Sequence, residues 1–170
     1  MSIQDVLQRI TSALDQAGIA YILSGSFASA YYGAARSTQD IDFVIHASSK
    51  QLRSFIEALL VSEYYADLAS ALEAQQRQSL FNVIDQVTGW KIDLIIRKSR
   101  PYSQEELERR QRVKLHGVSL FMTTAEDAVI SKLEWAKLAQ SRRQIEDAAA
   151  ILRGTRWITP IWISGSPIWV

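Results

Sequence analysis

Residues 40–45 read Asp-Ile-Asp-Phe-Val-Ile, and no other stretch constrains the chain as much. Successive side chains of a strand point to opposite faces, so Ile41, Phe43 and Ile45 share one side and Asp40, Asp42 and Val44 the other. Such a strand needs an apolar layer against one face and water or a ligand against the other. The two carboxylates then stand roughly 7 Å apart, and each raises the pKa of its neighbour. A dication relieves that repulsion: Mg²⁺ prefers oxygen ligands, commonly one or two carboxylates with substrate phosphates and water. Taken alone, Asp-x-Asp fits two solvated acids at an exposed strand start equally well.

Asp93 changes the balance. It lies in Ile92-Asp93-Leu94-Ile95-Ile96, an acid inside an otherwise apolar strand, where a charge is costly unless it faces solvent or a partner. Were this strand to lie beside 40–45, three carboxylates would converge, as two-metal phosphoryl chemistry requires. The competing reading is an edge-strand acid facing water. Upstream, Gly25-Ser26 follows the apolar run Ala20–Leu23, and small residues ahead of a helix expose backbone N–H groups that can cradle a phosphate. On its own that turn is ordinary.

The rest of the chain supplies a frame for these residues. Ile3, Val6, Leu7, Ile10 and Leu14 recur at helical spacing, with Ser2 and Asp5 as a capping pair and Gly18 past the end. Strand 20–23, a short helix over about 27–32 and the strand from Asp40 come next. Leu52, Phe55, Ile56, Leu59 and Leu60 mark a second amphipathic helix. Residues 80–84 and 91–96 form a hairpin around Gly89. Ser103 with Glu106 predicts a cap for a charged helix, and 113–122 is extended with a break at Gly117. Thr124 with Asp127, and Ser141 with Gln144, each open a helix. The expected class is α+β: a small mixed sheet with helices packed against it and a helical C-terminal part.

The order of strand, Gly25-Ser26, short helix, Arg36-Ser37-Thr38, Asp40-x-Asp42 and a later Asp93 strand resembles the polymerase-β-like nucleotidyltransferase superfamily. YILSGSFASAYYGAARSTQDIDFVI carries most of the likeness. The later run EDAVISKLEWAKLAQSRRQIEDAAAIL is similar to the helical part of bacterial AbiEii-toxin-type and related minimal nucleotidyltransferases. Together the resemblance covers about residues 5–152.

It implies that Asp40 and Asp42 ligate Mg²⁺ (or Mn²⁺) bridging an NTP triphosphate. Asp93 would complete a second metal position and act as, or orient, the base for the acceptor hydroxyl. Gly25 and Ser26 would hold the β and γ phosphates, Arg36 would touch phosphate or shield the acids, and Lys132 and Lys137 would reach phosphate or orient their helix. Arg143 and Asp147 fall where the toxin-type pattern has a basic residue and a later acid. For either lysine alone, a solvated helix face is the simpler reading. His46 and His116 read as structural, and Tyr31, Tyr32, Trp90 and Trp135 as core or cleft-wall aromatics.

Composition narrows the classes. Nineteen basic and eighteen acidic residues give +1, against a protein that coats nucleic acid through bulk charge, while local basic patches remain open. No cysteine is present, which excludes disulfides, thiolate nucleophiles and cysteine zinc sites. The N-terminal stretch lacks an unbroken apolar run, so neither a signal peptide nor a membrane span is expected, and the setting read from this is cytoplasmic.

From Gly154 the character shifts. GTRWITPIWISGSPIWV has no acid and contains Trp157, Trp162 and Trp169 of the chain's five tryptophans. Residues 1–153 therefore read as one domain and 154–170 as an atypical apolar tail. Shifting its reverse translation by one base yields a polar, acid-bearing segment, which suggests a frameshift product. The competing reading is a native tail packing on the core or a partner, and an exposed tail this apolar favours self-association.

The functional expectation is transfer of a nucleoside monophosphate from an NTP to an acceptor hydroxyl on an RNA end, a protein or a small molecule. A cognate partner protein, as in toxin–antitoxin pairs, is compatible with it. The alternative is a non-catalytic binding module of the same fold, an antitoxin or regulator. A third reading has the acids merely capping strand ends.

Overall fold

The computed structural model of the protein describes residues 2–60 and 63–155, apart from the Leu60 side chain. The expected tail over 154–170, with its frameshift and self-association readings, falls outside them beyond Thr155.

Helix α1 (Ile3–Gln16) opens on the expected capping box: the Asp5 amide donates to Ser2, and the Asp5 carboxylate accepts from the Ser2 amide. Its stripe of Val6, Leu7, Ile10 and Leu14 is fully buried. Strand β1 (Ala20–Leu23), helix α2 (Gly25–Tyr31), strand β2 (Asp40–His46) and helix α3 (Ser49–Leu60) follow. Then come β3 (Tyr64–Ala66), α4 (Leu68–Arg77), β4 (Leu80–Asp85) and β5 (Lys91–Ile96). The chain continues with α5 (Pro101–Glu108), β6 (Gln111–Leu115), β7 (Val118–Met122), α6 (Ala125–Ala139) and α7 (Arg142–Gly154).

Among the described residues, seven strands form one mixed sheet in the order β3-β4-β5-β2-β1-β7-β6. The β2/β5 and β1/β7 pairs are parallel and the other neighbours antiparallel. The apolar faces decide the layering. Ile41, Phe43 and Ile45 of β2 and Ile92, Leu94 and Ile96 of β5 join one core with α1, with Leu52, Phe55, Ile56 and Leu59 of α3, and with Ala71 and Ala74 of α4. Truncating a fully buried ring such as Phe43 or Phe55 to alanine would cost about 3–5 kcal/mol. The opposite face of β2 and β5 stays partly open and carries the acids. A smaller core of Ala125, Ala128 and Val129 with Ala148 and Ile151 joins α6 to α7.

The α+β layout is as expected, with differences in detail. Strand β3 and helix α4 were not expected. Tyr64 and Ala66 are the inward residues of a three-residue strand, too short to show a period, and α4 buries little beyond two alanines. Asp67 caps α4, its carboxylate accepting from the Ser70 amide. Helix α2 begins at Gly25, earlier than the expected start near Phe27. Ser103 and Glu106 do not cap α5: Pro101 at the first turn sets its start, Ser103 Oγ accepts from Arg100, and both residues face inward. The expected break at Gly117 is the tight β6–β7 turn, where His116 and Gly117 both have positive φ.

Candidate active site

The parallel pairing of β2 with β5 fixes the register of the site. Asp40 lies opposite Lys91 and Asp42 opposite Asp93, so three acids and one lysine form a two-by-two array on the open face. Adjacent strands are about 5 Å apart, so Asp42 and Asp93 are immediate neighbours. Burial, then the Asp93 charge, push the Asp42 carboxyl above the ordinary carboxylate range. The Ser26 amide donates to Asp42, and with Lys132 it opposes that shift.

Gly25 makes the approach of α2 feasible. Its φ is +61°, and a Cβ there would stand 1.9 Å from Asp42 Oδ2. The start of α2 thus lies directly against the acid. Ser26 Oγ accepts from the Arg36 guanidinium. Arg36 Nε lies 3.5 Å from Asp147, and the same carboxylate accepts a 3.0 Å hydrogen bond from buried Lys132 Nζ. Asp147 of α7 therefore neutralises two cations beside the helix start.

These residues line a cleft of about 590 Å³ that contains Gly25, Ser26, Arg36, Asp40, Asp42, Asp93 and Lys132. Lys137 is not among its lining residues; it stands exposed on α6. Arg143 is also exposed. Trp135 lines the cleft, half exposed, whereas Trp90 packs against the main core and the ring of Phe27.

The far wall comes from α5 and α6. Arg100 donates two hydrogen bonds of 2.6 Å to the Glu134 carboxylate, a bidentate pair. Buried Asp127 accepts from Arg109 and from the Tyr102 hydroxyl. Glu106, buried between Thr123 and this network, is pushed up to about 7, first by burial and then by the Asp127 charge.

Sequence reasoning missed Lys91 and assigned Asp147 only by family position. Lys91 precedes Asp93 by two residues, so strand periodicity alone places it on the same face. No sequence period brings Asp147 to Lys132 and Arg36, because that contact needs α6 and α7 folded together.

Whether the acids suit a divalent metal can be judged from the donors. Among the described residues, no three acidic or imidazole side chains are close enough to enclose a metal ion as they stand. Asp93 Oδ1 accepts from Asn82 and Oδ2 pairs with Lys91 at 3.2 Å. Asp40 and Asp42 retain acceptor capacity toward the cleft. This donor set fits Mg²⁺ or Mn²⁺ held by one or two carboxylates and completed by substrate oxygens.

No protein-family model and no curated protein sequence matches the chain. Solved structures do match its fold. The antibiotic-resistance factor ANT(2'')-Ia superposes with a TM-score of 0.58 at 14% identity, covering 90% of this chain and 85% of that one. The lincosamide antibiotic adenylyltransferase LnuA, bound to lincomycin, gives 0.59 at 11% identity, over 91% and 99%. An antigenic nucleotidyltransferase-like protein from Paracoccidioides brasiliensis gives 0.51 at 16%, over 88% and 75%. The chain therefore has the nucleotidyltransferase fold. Among its described residues, no helix is long and apolar enough to cross a membrane.

Proposed function

We propose that the protein is a nucleotidyltransferase that moves a nucleoside monophosphate from an NTP to an acceptor hydroxyl. The observation that supports this most is the register pairing of Asp42 with Asp93 on the open face, beside the start of α2 and within one cleft. Asp40 and Asp42, with Asp93, would hold Mg²⁺ or Mn²⁺, which supplies charge neutralisation for the triphosphate. Gly25 and Ser26 present backbone to the β and γ phosphates, and Arg36 and Lys132 face them with charge. Asp93 takes, or orients the group that takes, the acceptor proton. The acceptor oxygen then bonds the α-phosphorus, the α–β bridging bond breaks, and pyrophosphate leaves. Catalysis rests on positioning and preorganised charge. Lys137, on the exposed face of α6, has no part in this scheme.

A small molecule is the acceptor best supported, ahead of an RNA end or a protein hydroxyl. The cleft is of ligand size, and structures of this fold include LnuA with lincomycin and ANT(2'')-Ia with adenylyl-2''-tobramycin. The toxin-type likeness of α6 and α7 keeps a cognate partner protein within the proposal. The proposal also takes in a cytoplasmic setting, a single domain over 1–153 and self-association through the apolar tail. One observation favours a second reading, a non-catalytic binding module: both oxygens of Asp93 are already engaged, by Asn82 and Lys91.

Thermal unfolding with each NTP, with and without Mg²⁺, separates the two readings. A ligand that binds only the folded state raises the melting temperature. The transferase reading expects a rise that needs metal and nucleotide together and disappears in Asp42→Ala, followed by pyrophosphate release with an acceptor. Nucleotide binding that ignores metal would support the binding module instead.

A further inference from the structure

We propose that Lys91 is a built-in counter-ion that occupies the acid site and makes metal binding depend on nucleotide. The inference rests on the nucleotidyl-transfer reading above and concerns how that site is loaded.

Lys91 is the register partner of Asp40 and lies two residues before Asp93 on the same strand face. Its Nζ is 3.6 Å from Asp40 Oδ1 and 3.2 Å from Asp93 Oδ2. One ammonium thus spans two of the three carboxylates between which a dication would sit. The other side of β5 adds no competing cation in that row, because β4 contributes Ile84 opposite Lys91 and Asn82 opposite Asp93.

Two properties make this an exchangeable ion and not a fixed structural pair. The Lys91 side chain is 43% exposed, so its ammonium can swing into water without stranding a buried charge. Lysine is a compact charge on a flexible stem and holds no bidentate geometry that would resist release. The buried pair in the same cleft, Lys132 with Asp147, contrasts on the first point, since its side chains are 8% and 11% exposed.

Metal arriving alone must displace this ammonium and meets carboxylates whose charge is already partly neutralised. Metal arriving with a triphosphate brings its own oxygens and gives the displaced ammonium a new anion to face. Metal and nucleotide therefore bind with positive coupling, and that coupling is reciprocal.

The test compares wild type with K91M and K91R, and uses K91Q as a second neutral variant should K91M fold poorly. Binding of Mn²⁺ alone is read from the electron paramagnetic resonance signal of the free ion. Coupling is read from melting temperatures with Mn²⁺, with each NTP and with both. Removing a like charge about 4 Å from the ion should tighten Mn²⁺ binding at least about tenfold in K91M, while K91R stays near wild type. The extra gain from adding nucleotide should shrink in K91M. Unchanged Mn²⁺ affinity in the neutral variants, with nucleotide coupling intact, would show Lys91 to be an ordinary surface pair. Equal tightening in K91R would also overturn the proposal, because the charge would not be responsible. If no protein gains stability from Mn²⁺ and any NTP together, the nucleotidyl-transfer reading fails and this inference falls with it.

Discussion

The Asp42 carboxylate fills the space that a side chain at residue 25 would need: a Cβ there would stand 1.9 Å from Asp42 Oδ2. The helix start and the acid are therefore closely fitted, with no room for a side chain between them. Gly25→Ala should cost about 1–2 kcal/mol for the left-handed backbone alone, and more for displacing the carboxylate. Gly18→Ala is the control. That residue has a similar φ of +65°, but its Cβ would meet only Gln51 Nε2 at 3.5 Å. Urea unfolding should show the larger loss at Gly25, and the melting shift with NTP and Mg²⁺ should disappear in that variant only.

Asp42→Asn should separate stability from function. Burial and the neighbouring Asp93 charge both disfavour the ionised carboxyl, so the unliganded protein holds it at a cost. The neutral amide removes the repulsion, and at pH 8 without metal the variant should be as stable as wild type or more stable, by about 1 kcal/mol. Transfer activity should fall by at least about two orders of magnitude through loss of preorganised charge. A marked drop in melting temperature would count against the repulsive description of the site.

Both outcomes rest on elements that were readable without the fold. The alternation in DIDFVI set the buried and open faces of β2, and the lone acid in IDLII made that strand a candidate neighbour, a pairing the β2/β5 register supplies. Ser2 with Asp5 located the start of α1. Elsewhere the sequence misled or was silent for physical reasons. Pro101 outweighs Ser103 as a helix start because its fixed φ suits the first turn. Strand β3 is too short for a period to emerge. Lys91 drew no reading from the sequence, and only the β2/β5 register puts it between two acids. The α6 lysines looked alike in sequence, yet Lys132 is buried on Asp147 while Lys137 is exposed and outside the cleft lining.

Glu106 should give the protein a measurable pH dependence. Its carboxyl rises from 4.5 to about 7 in the folded state, chiefly through burial and secondarily through the Asp127 charge. The native state then binds the proton more tightly than the unfolded chain. This contribution is full below about pH 4.5, and it is lost as pH rises through about 7. The difference in unfolding free energy between wild type and Glu106→Gln should therefore change by roughly 2–3 kcal/mol between pH 4.5 and 8, with wild type gaining on the acid side. Denaturant melts of both proteins across that range measure it, and parallel curves would contradict it.

The Lys132–Asp147 pair predicts a non-additive pair of variants. Asp147→Ala strands a buried ammonium and should lose about 3–5 kcal/mol. The double variant Lys132→Met, Asp147→Ala removes both charges and should recover much of that loss. A double-mutant cycle by urea unfolding reads the coupling directly, and additive losses would mean the pair is not the linked unit the geometry describes.

Asp147 belongs to α7, yet it sets the charge balance of Lys132 on α6 and of Arg36 ahead of β2. The helical hairpin is for that reason not an interchangeable part. A chimera that took α6 and α7 from another protein of this fold would replace Lys132 and Asp147 together while keeping Arg36. Unless the graft carried a carboxylate at the position of residue 147, Arg36 would lose its carboxylate partner and Ser26 would face an altered field. Divergence of this hairpin is tied to the loop before β2, so the two should change together or not at all.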